Sequence, residues 1–388
     1  MTAYIRPDRF RSGLRIFRSW LGEYPLTQLG VFVALLAVAG LLGQTMIANM
    51  ERVGITPGFA FLWRPANFEI GEALIAYAAD RSFGRAIFVG FLNTVTVSLA
   101  ACVLATILGS LLGIARLSAN PLLAGAVRGY VELIRNTPLL LQLFFWIATI
   151  RALPGVREAF NPLSGVLLSN RGIFLPALRF GDGWEAPLVL AALAGLIVLH
   201  FRVKRPVLRR AIAGAAIGGA LLAATALLIA PGSVRLDLPE LKGFNIAGGV
   251  SLTPEFAALL IGLTVNAAAN IAEIVRSGIE AVPRNQWETG RSLGFTEAQL
   301  LRIVVMPQAL RVIVPLMTSA FLNITKNSSL AVAIGYPDLV NIVNTTANQT
   351  GQALEAILIM MTVYLTISLT VSLMMNIYNA RHDWKAGV

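Results

Sequence analysis

The chain has 388 residues, of which 56% are hydrophobic and only 13% charged, and its mean hydropathy is +0.71. Soluble domains carry about a quarter charged residues, so this composition predicts an all-α polytopic membrane protein without a soluble domain. The formal charge of +11 does not indicate a nucleic-acid partner, because the basic runs lack interleaved aromatic residues and fit membrane-flanking loops instead. Cys102 is the single cysteine and His200 and His382 the two histidines, so no intrachain disulfide and no metal site are expected.

Eight apolar runs are predicted to be membrane-spanning helices. The first, at 26–47, has about 22 residues, which is enough to cross a hydrocarbon core of about 30 Å. A signal peptide is the alternative, but its apolar region would be shorter and a cleavage site would follow. The other runs are 87–114, 131–150, 187–200, 211–230, 255–277, one that starts at 312, and 354–378. The run at 187–200 is short, and its ends are poorly defined.

The distribution of lysine and arginine sets the predicted topology. Five cations precede the first span, five lie within 202–210 and five between 276 and 311, whereas 336–351 contains none. Because cytoplasmic loops are enriched in cations, both termini are expected on the cytoplasmic side. The segments 154–185 and 231–253 are expected to be loops on the other side. The chain therefore divides into an anchor helix with an outer segment (1–85), a first core part (86–152), an insert (153–253) and a second core part (254–388).

A polar segment at 280–311 lies between two of the apolar runs and has the punctuation of two short helices. Pro283 can open the first helix, and Gly294 can close it in a left-handed cap. Thr296 and Gln299 form a capping box for the second, which Pro307 is expected to end. One apolar stripe of that second helix consists of Leu300, Leu301, Val304 and Val305.

Polar side chains at membrane depth are candidates for a solute path. Asn266, Asn270 and Glu273 have the spacing of one helix face. Such groups are costly in lipid and usually face a cavity or a partner. The alternative is structural: the two amides could bond between helices, and Glu273 could pair with Arg276.

The run 325–329 carries a second set of candidates. The apolar stretch before it, 312–324, is too short to cross a membrane, and the pattern predicts a helix interrupted near the midplane. Lys326 could then pair with a carboxylate, and Asn327, Ser328 and Ser329 could hydrogen-bond to it. An interhelical knot that supports the fold is the alternative. Weaker path candidates are Asn93, Thr94, Thr96, Ser98 and Gln142, the last of which could equally be a packing residue.

The polar segment resembles the EAA loop of ABC importer permeases. The resemblance rests on Glu288-Thr289-Gly290, then Gly294 after three residues, and Val304-x-Met306-Pro307 after nine more. Both alanines of the family pattern are replaced here. The stretches VELIRNTPLLLQLFFW, AEIVRSGIEAVPRNQWETGRSLGF and TKNSSLAVAIGYPDL extend the resemblance to the polar amino-acid uptake subfamily over residues 88–150 and 255–380. The long outer segment and the insert are more loosely similar to the longer permease of general L-amino-acid (Aap/Bzt-type) importers.

The resemblance implies a type I importer permease core in the bacterial inner membrane, coupled to a separate ATPase. It assigns ATPase coupling to Trp287, Glu288, Thr289, Gly290, Arg291, Gly294, Phe295, Met306 and Pro307. The implied partners are a second, similar permease subunit, two ATPase subunits that bind ATP and magnesium, a periplasmic amino-acid-binding protein, an amino-acid substrate and the lipid bilayer. No cofactor is expected on this chain, since it contains no phosphate-binding loop and no Gly-Lys dipeptide. An amphipathic helix that merely lies on the membrane surface is the alternative for the EAA segment.

Two other classes of function stay open at this point. A secondary transporter would need carboxylates at the membrane centre, whereas the acids here lie mostly near the ends of spans. An intramembrane enzyme would need paired acids, a Ser–His pair or a metal set, and the two histidines lie at span or chain ends. The sequence therefore favours a non-catalytic transport subunit.

Overall fold

The computed structural model describes residues 25–52, 54, 58–180, 218–219 and 234–382. Most of them are helical, which confirms the predicted fold class. The α-helices in these ranges are α1 Pro25–Arg52, α2 Phe83–Ala115, α3 Pro121–Asn136, α4 Leu139–Arg151, α5 Pro254–Glu280, α6 Arg284–Ser292, α7 Glu297–Leu300, α8 Met306–Asn327, α9 Leu339–Thr350 and α10 Ala353–His382. Three 3₁₀ helices cover Phe59–Trp63, Val156–Glu158 and Ser328–Ile334, and a π-helix covers Leu301–Val305.

Five segments of the described chain are long and apolar enough to cross a membrane. They are Leu26–Arg52, Phe83–Ala115, Pro254–Glu280, Glu297–Ile334 and Ala353–Ile377, and the pair α3–α4 makes six if it counts as one span. The predicted spans 187–200 and 211–230 lie outside the described residues, apart from 218 and 219. The total of eight spans therefore stays a prediction.

The centre of the bundle is the contact between α2 and α5, which run in the same direction. Gly109 and Gly113 of α2 lie against Ile271 and Val275 of α5. A Cβ atom at Gly109 would lie 2.8 Å from the Ala268 carbonyl oxygen, so only glycine permits this approach. Small residues at this spacing allow two membrane helices to pack backbone to backbone. α4, α8 and α3 then pack around α5.

The predicted third span, 131–150, is wrong as a single helix. The chain forms α3 and α4, which meet at an angle of 104°. The cause is Pro138, because a proline disfavours helical dihedrals in the residue before it. Thr137 accordingly has φ −100° and ψ 127°, an extended conformation that ends α3.

The predicted seventh span also needs correction. Pro307 does not end the second short helix, since it lies in the first turn of α8, where its missing N–H is tolerated. The π-helix Leu301–Val305 joins α7 to α8 without a break. The α-helix then continues through Pro315 as far as Asn327, so it ends inside the run 325–329 where the sequence predicts an interruption. The chain changes to a 3₁₀ helix at Ser328 and stops at Gly335, whose φ is +81°.

Short strands occupy the segments expected to be loops. They are β1 Phe160–Leu163, β2 Val166–Ser169, β3 Gly172–Leu175, β4 Ala177–Phe180, β5 Val234–Asp237, β6 Glu240–Lys242, β7 Asn245–Ala247 and β8 Val250–Leu252. An antiparallel sheet has the order β1-β2-β3-β8, and β4 pairs with β5 and β6 with β7. The described parts of 154–185 and 231–253 therefore contain strands that the sequence analysis did not predict, because strands of three or four residues are too short to show an alternating pattern. The position of these segments outside the membrane stays a prediction. Ile173 and Leu252, which face each other across β3 and β8, pack against the helical core.

Candidate functional site

The polar segment after α5 folds as a hairpin of two short helices, as the sequence predicts. Pro283 precedes the first turn of α6, and Gly294 closes it with φ +80°. The Thr296 hydroxyl accepts a hydrogen bond from the Gln299 N–H at 3.3 Å, and the Gln299 side-chain oxygen accepts one from the Thr296 N–H at 3.0 Å. This reciprocal pair fixes the start of α7. We call residues 283–305 the hairpin.

Gly290 and Leu300 hold the two helices of the hairpin together. Gly290 is the buried residue of α6, and Leu300 is fully buried beneath it. A Cβ atom on Gly290 would overlap the Leu300 Cδ1 atom, so the glycine that replaces the family's alanine is matched by a large side chain opposite. Trp287, Phe295 and Met306 pack against the same core. The hairpin is therefore attached to the bundle by apolar contacts.

The outer surface of the hairpin is polar. Glu288, Thr289 and Arg291 are exposed, and the Arg291 Nε donates to a Glu297 carboxylate oxygen at 2.8 Å. That carboxylate raises the pKa of Arg291 above its ordinary value. Beside Glu288 lies a cleft of about 1090 Å³ between the hairpin and the link from α2 to α3. The cleft is lined by charged residues, including Glu280 and Glu288, and by apolar residues such as Ile114 and Leu301.

Ion pairs brace the helix ends above the hairpin. Glu273 of α5 pairs with Arg116 at the end of α2 and with Arg276 one turn further along α5. Arg276 also pairs with Glu280, and Arg135 of α3 approaches Glu273 at 3.9 Å. The structural interpretation of Glu273 is therefore confirmed: it ties three helices together.

The predicted path residues fall into two groups. Asn270 and Lys326 are exposed on spanning segments, turned away from the packed interior of this chain, whereas Asn266, Asn327 and Ser329 are half-buried. The Asn270 amide donates to the Asn266 carbonyl of its own helix at 3.1 Å. The Ser329 hydroxyl likewise donates to the Lys326 carbonyl at 2.7 Å. Neither bond joins two helices.

Ser328 and Gln142 are buried instead. The Ser328 hydroxyl donates to the Thr325 carbonyl at 2.7 Å. The Gln142 amide donates to the carbonyls of Ile134 and Thr137, each at 3.0 Å, and so satisfies the end of α3 at the bend. These bonds favour the packing role for Gln142, while its Oε1 atom has no hydrogen-bond partner in the described part of the chain.

Sequence reasoning missed Asp338, which is fully buried at the start of α9. One carboxylate oxygen, Oδ1, accepts from the Asn341 N–H at 2.9 Å, as an N-cap does. The other, Oδ2, has no hydrogen-bond partner within the described part of the chain. Burial raises the pKa of Asp338 to about 7. An acid immediately before an apolar stretch is a helix-start signal that could have identified the cap, but not its burial.

Asp338 belongs to a cluster of buried polar groups between α2, α9 and α10. The Thr94 hydroxyl of α2 accepts from the Leu339 N–H at 3.0 Å. The Tyr364 hydroxyl of α10 lies beside Thr94 and Ser328. The Ser98 hydroxyl, one turn further along α2, and Asp338 Oδ2 find no hydrogen-bond partner among the residues that the structure describes. Buried acceptors and hydroxyls left unpaired are suited to bind a small polar or cationic group.

The chain is similar to known proteins over nearly its whole length. The family described as "Binding-protein-dependent transport system inner membrane component" matches residues 105–384. The candidate amino-acid ABC transporter permease YhdX of Escherichia coli (strain K12) is 47% identical over 375 residues, which are 94% of each chain. The general L-amino acid transport system permease AapQ of Rhizobium johnstonii is 40% identical over 90% of this chain and 91% of that protein. The glutamate/glutamine/aspartate/asparagine transport system permease BztB of Rhodobacter capsulatus is also 40% identical, with the same coverage.

Proposed function

This chain belongs to the family of binding-protein-dependent transport system inner membrane components, and we propose which of its residues contact the ATPase and which contact the amino-acid substrate. It is the permease subunit of an ABC importer and is not itself catalytic, since ATP is hydrolysed by a separate ATPase. Its relatives over nine tenths of the chain are named for amino-acid transport, which supports an amino acid as the substrate. The protein is a multi-pass component of the inner membrane.

We assign contact with the ATPase to the hairpin. The observation that carries this assignment is an exposed polar surface, with Glu288, Thr289 and Arg291, on a unit fixed to the bundle by Gly290 and Leu300. Because the hairpin ends in the π-helix, which continues directly into α8, a movement of the hairpin surface is transmitted to a spanning helix. ATP and magnesium then belong to the partner ATPase, of which two copies serve two permease subunits.

The solute path is proposed to lie between this chain and a second, similar permease subunit. Asn270 and Lys326 expose polar groups on membrane-spanning segments. Lipid is a poor solvent for such groups, so a protein partner or a water-filled path covers them. Lys326 is the candidate partner for the substrate's carboxylate.

Asp338 is proposed to receive the substrate's ammonium group. Its unpaired Oδ2 atom and the nearby Tyr364 hydroxyl supply acceptors of the right kind. Asp338 is fully covered in this structure, so the site is accessible only after its surroundings move. In the proposed cycle a periplasmic binding protein delivers the amino acid, and ATP-driven closure of the motor subunits alternates access to the site.

The coupling assignment is tested with Glu288→Lys in the complete transporter. We expect the variant to lose both copurification with the ATPase and amino-acid uptake. Glu240→Lys, an identical charge change on strand β6, is the matched control and should retain both. Undiminished ATPase association and uptake in the Glu288 variant would show that the hairpin is not the coupling surface.

The two halves of the substrate site are tested separately. Lys326→Ala and Asp338→Asn should each reduce uptake at least tenfold while the subunits still copurify. Loss of assembly in either variant would assign that residue a structural role. The predicted orientation, with both termini and the hairpin in the cytoplasm, is checked by labelling single cysteines in intact spheroplasts. A hairpin cysteine labelled from the outside would contradict the whole assignment.

A further inference from the structure

The segment between α1 and α2 folds back over one end of the bundle. We call residues 58–82 the strap. Its two limbs are paired, since the Ala66 N–H donates to the Arg81 carbonyl at 2.7 Å and the Asn67 N–H to the Ala79 carbonyl at 2.8 Å. Phe61 near its start is 1% exposed and belongs to the same buried cluster as Leu339. The strap is therefore an ordered part of the fold.

Asn93 connects the strap to the segment that carries Asp338. This asparagine of α2 is 1% exposed, and its amide makes two donations. One goes to the Glu72 carbonyl of the strap at 2.8 Å, and the other to the Pro337 carbonyl at 2.9 Å. The Asn93 amide therefore donates hydrogen bonds to two segments that lie far apart in sequence. Because Pro337 directly precedes Asp338, Asn93 joins the strap to the start of α9.

Two further hydrogen bonds connect the strap to other helices. The Thr253 hydroxyl, at the start of α5, donates to the Glu72 carboxylate at 2.6 Å. The Gly58 N–H donates to the Glu355 carboxylate of α10 at 2.8 Å, and Glu355 is itself 5% exposed. The strap therefore bonds to three spanning helices, α2, α5 and α10.

α5 links the strap to the hairpin. Thr253 caps the first turn of α5, and the hairpin begins just after the last turn of α5. A helix of 27 residues is about 40 Å long, so the strap and the hairpin lie at opposite ends of the same spanning helix. α2, α5 and α10 are each bonded to the strap, so these three helices cannot separate at this end while the bonds persist.

We propose that the strap is the outer latch of the transport path, and that Asn93 and Glu72 are positioning residues that keep Asp338 covered until the binding protein docks. This inference rests on the proposed function, because it takes Asp338 as part of the substrate site. It identifies the strap, which lies outside the residues 105–384 matched by the family, as a working part of the permease. The latch has to open in the outward-facing state and close again before solute is released inside.

A reversible cross-link tests whether the latch must open. The cysteines of Glu72→Cys and Thr253→Cys, in a Cys102→Ala background, are joined in the complete transporter by a short thiol-specific reagent that reductant cleaves. We expect amino-acid uptake into proteoliposomes to fall at least tenfold, the ATPase to remain bound, and uptake to return after reduction. Each single-cysteine variant treated in the same way is the control. Undiminished uptake by the cross-linked transporter would refute the latch.

The converse perturbation loosens the latch. Asn93→Ala should raise ATP hydrolysis several-fold in the absence of binding protein, because the outward-facing state is no longer held back. Thr106→Val is the control on the same helix, since the Thr106 hydroxyl donates to the Cys102 carbonyl within α2. An assembled Asn93→Ala variant with the wild-type rate of ATP hydrolysis would contradict the proposal. If this variant fails to assemble, the cross-linking experiment tests the proposal instead.

The two proposals fail in different ways. A wild-type transporter that imports no amino acid would refute the proposed function, whereas undiminished import by the cross-linked transporter would refute only the latch.

Discussion

Gly109→Ala is the substitution that tests the packing of α2 on α5 most directly. A Cβ atom there would lie 2.7 Å from Ile271 Cβ, 2.7 Å from Ile271 Cγ2 and 2.8 Å from the Ala268 carbonyl oxygen. Real Cβ atoms do not approach other heavy atoms this closely. Rotation of Ile271 about χ1 moves its Cγ2 atom but neither its Cβ atom nor the backbone carbonyl, so α2 and α5 have to move apart.

Two effects of opposite sign decide the magnitude. Alanine is better than glycine in a helix interior by about 0.8–1 kcal/mol. Overpacking a close contact costs about 1–3 kcal/mol, and a contact that includes backbone lies toward the upper part of that range. The expected net effect of Gly109→Ala is therefore a loss of about 1–2 kcal/mol. Gly113→Ala should behave alike, because its Cβ would lie 2.8 Å from the Ala272 carbonyl oxygen.

Thermal unfolding of the detergent-solubilised transporter measures this loss. Gly40→Ala in α1 is the matched control, since a Cβ there meets no atom within 4 Å in the described part of the chain, and its midpoint should not fall. The double variant Gly109→Ala/Gly113→Ala should lose less than the sum of the two single losses, because one displacement of α5 relieves both contacts. Equal midpoints for Gly109→Ala and Gly40→Ala would refute the close approach of α2 and α5.

Three other predictions follow from the same structure. Thr296→Ala removes the cap of α7, which is worth about 1 kcal/mol, and amide exchange at residues 297–300 should become about fivefold faster. Burial raises the pKa of Asp338 from 3.8 to about 7, so the folded protein binds the extra proton and should lose stability as pH rises from about 4 to about 7; Asp338→Asn should flatten that slope. Arg116→Ala removes a partner of Glu273 from a partly exposed cluster and should lower the free energy of unfolding by about 1–3 kcal/mol.

Each of these predictions has its own control. Thr296→Ser keeps the hydroxyl acceptor and should exchange at the wild-type rate, so equal acceleration in both variants would argue against the capping box. An unchanged slope of the unfolding midpoint against pH in Asp338→Asn would assign the pH dependence to other groups. For the ion-pair cluster, Arg116→Ala combined with Glu273→Gln should be less destabilising than the sum of the single changes. Strict additivity would show that the pair contributes nothing.

The hairpin could be predicted in detail because its determinants are local. Gly294 supplies a positive φ, and Thr296 and Gln299 bond to each other's backbone across three positions. No distant part of the chain needs to be known for these effects. The apolar runs were likewise sufficient to predict the spans that the structure describes, apart from the bent pair and the ends of the seventh.

Features that depend on distant contacts could not be predicted. The unpaired oxygen of Asp338 is visible only once α2, α9 and α10 are assembled, since Thr94 and Leu339 are 245 positions apart. The bend at Thr137-Pro138 had a local signal in the proline, but the long apolar stretch that follows it led to the prediction of a single span. The contact between Gly290 and Leu300 also could not be predicted, because it depends on the angle between α6 and α7.

The π-helix Leu301–Val305 determines where this chain can tolerate an insertion or deletion of a residue. Leu300 and Val305 are both fully buried although they are five positions apart, and five residues of regular α-helix would place them about 140° from each other. Deleting the exposed Ile303 would leave them four positions apart, the ordinary spacing of one helix face. A deletion between Met306 and Asn327 would instead rotate the rest of the span by about 100° and turn lipid-facing side chains inward. Insertions and deletions between homologous chains should therefore collect at this turn and be rare along the helix that follows.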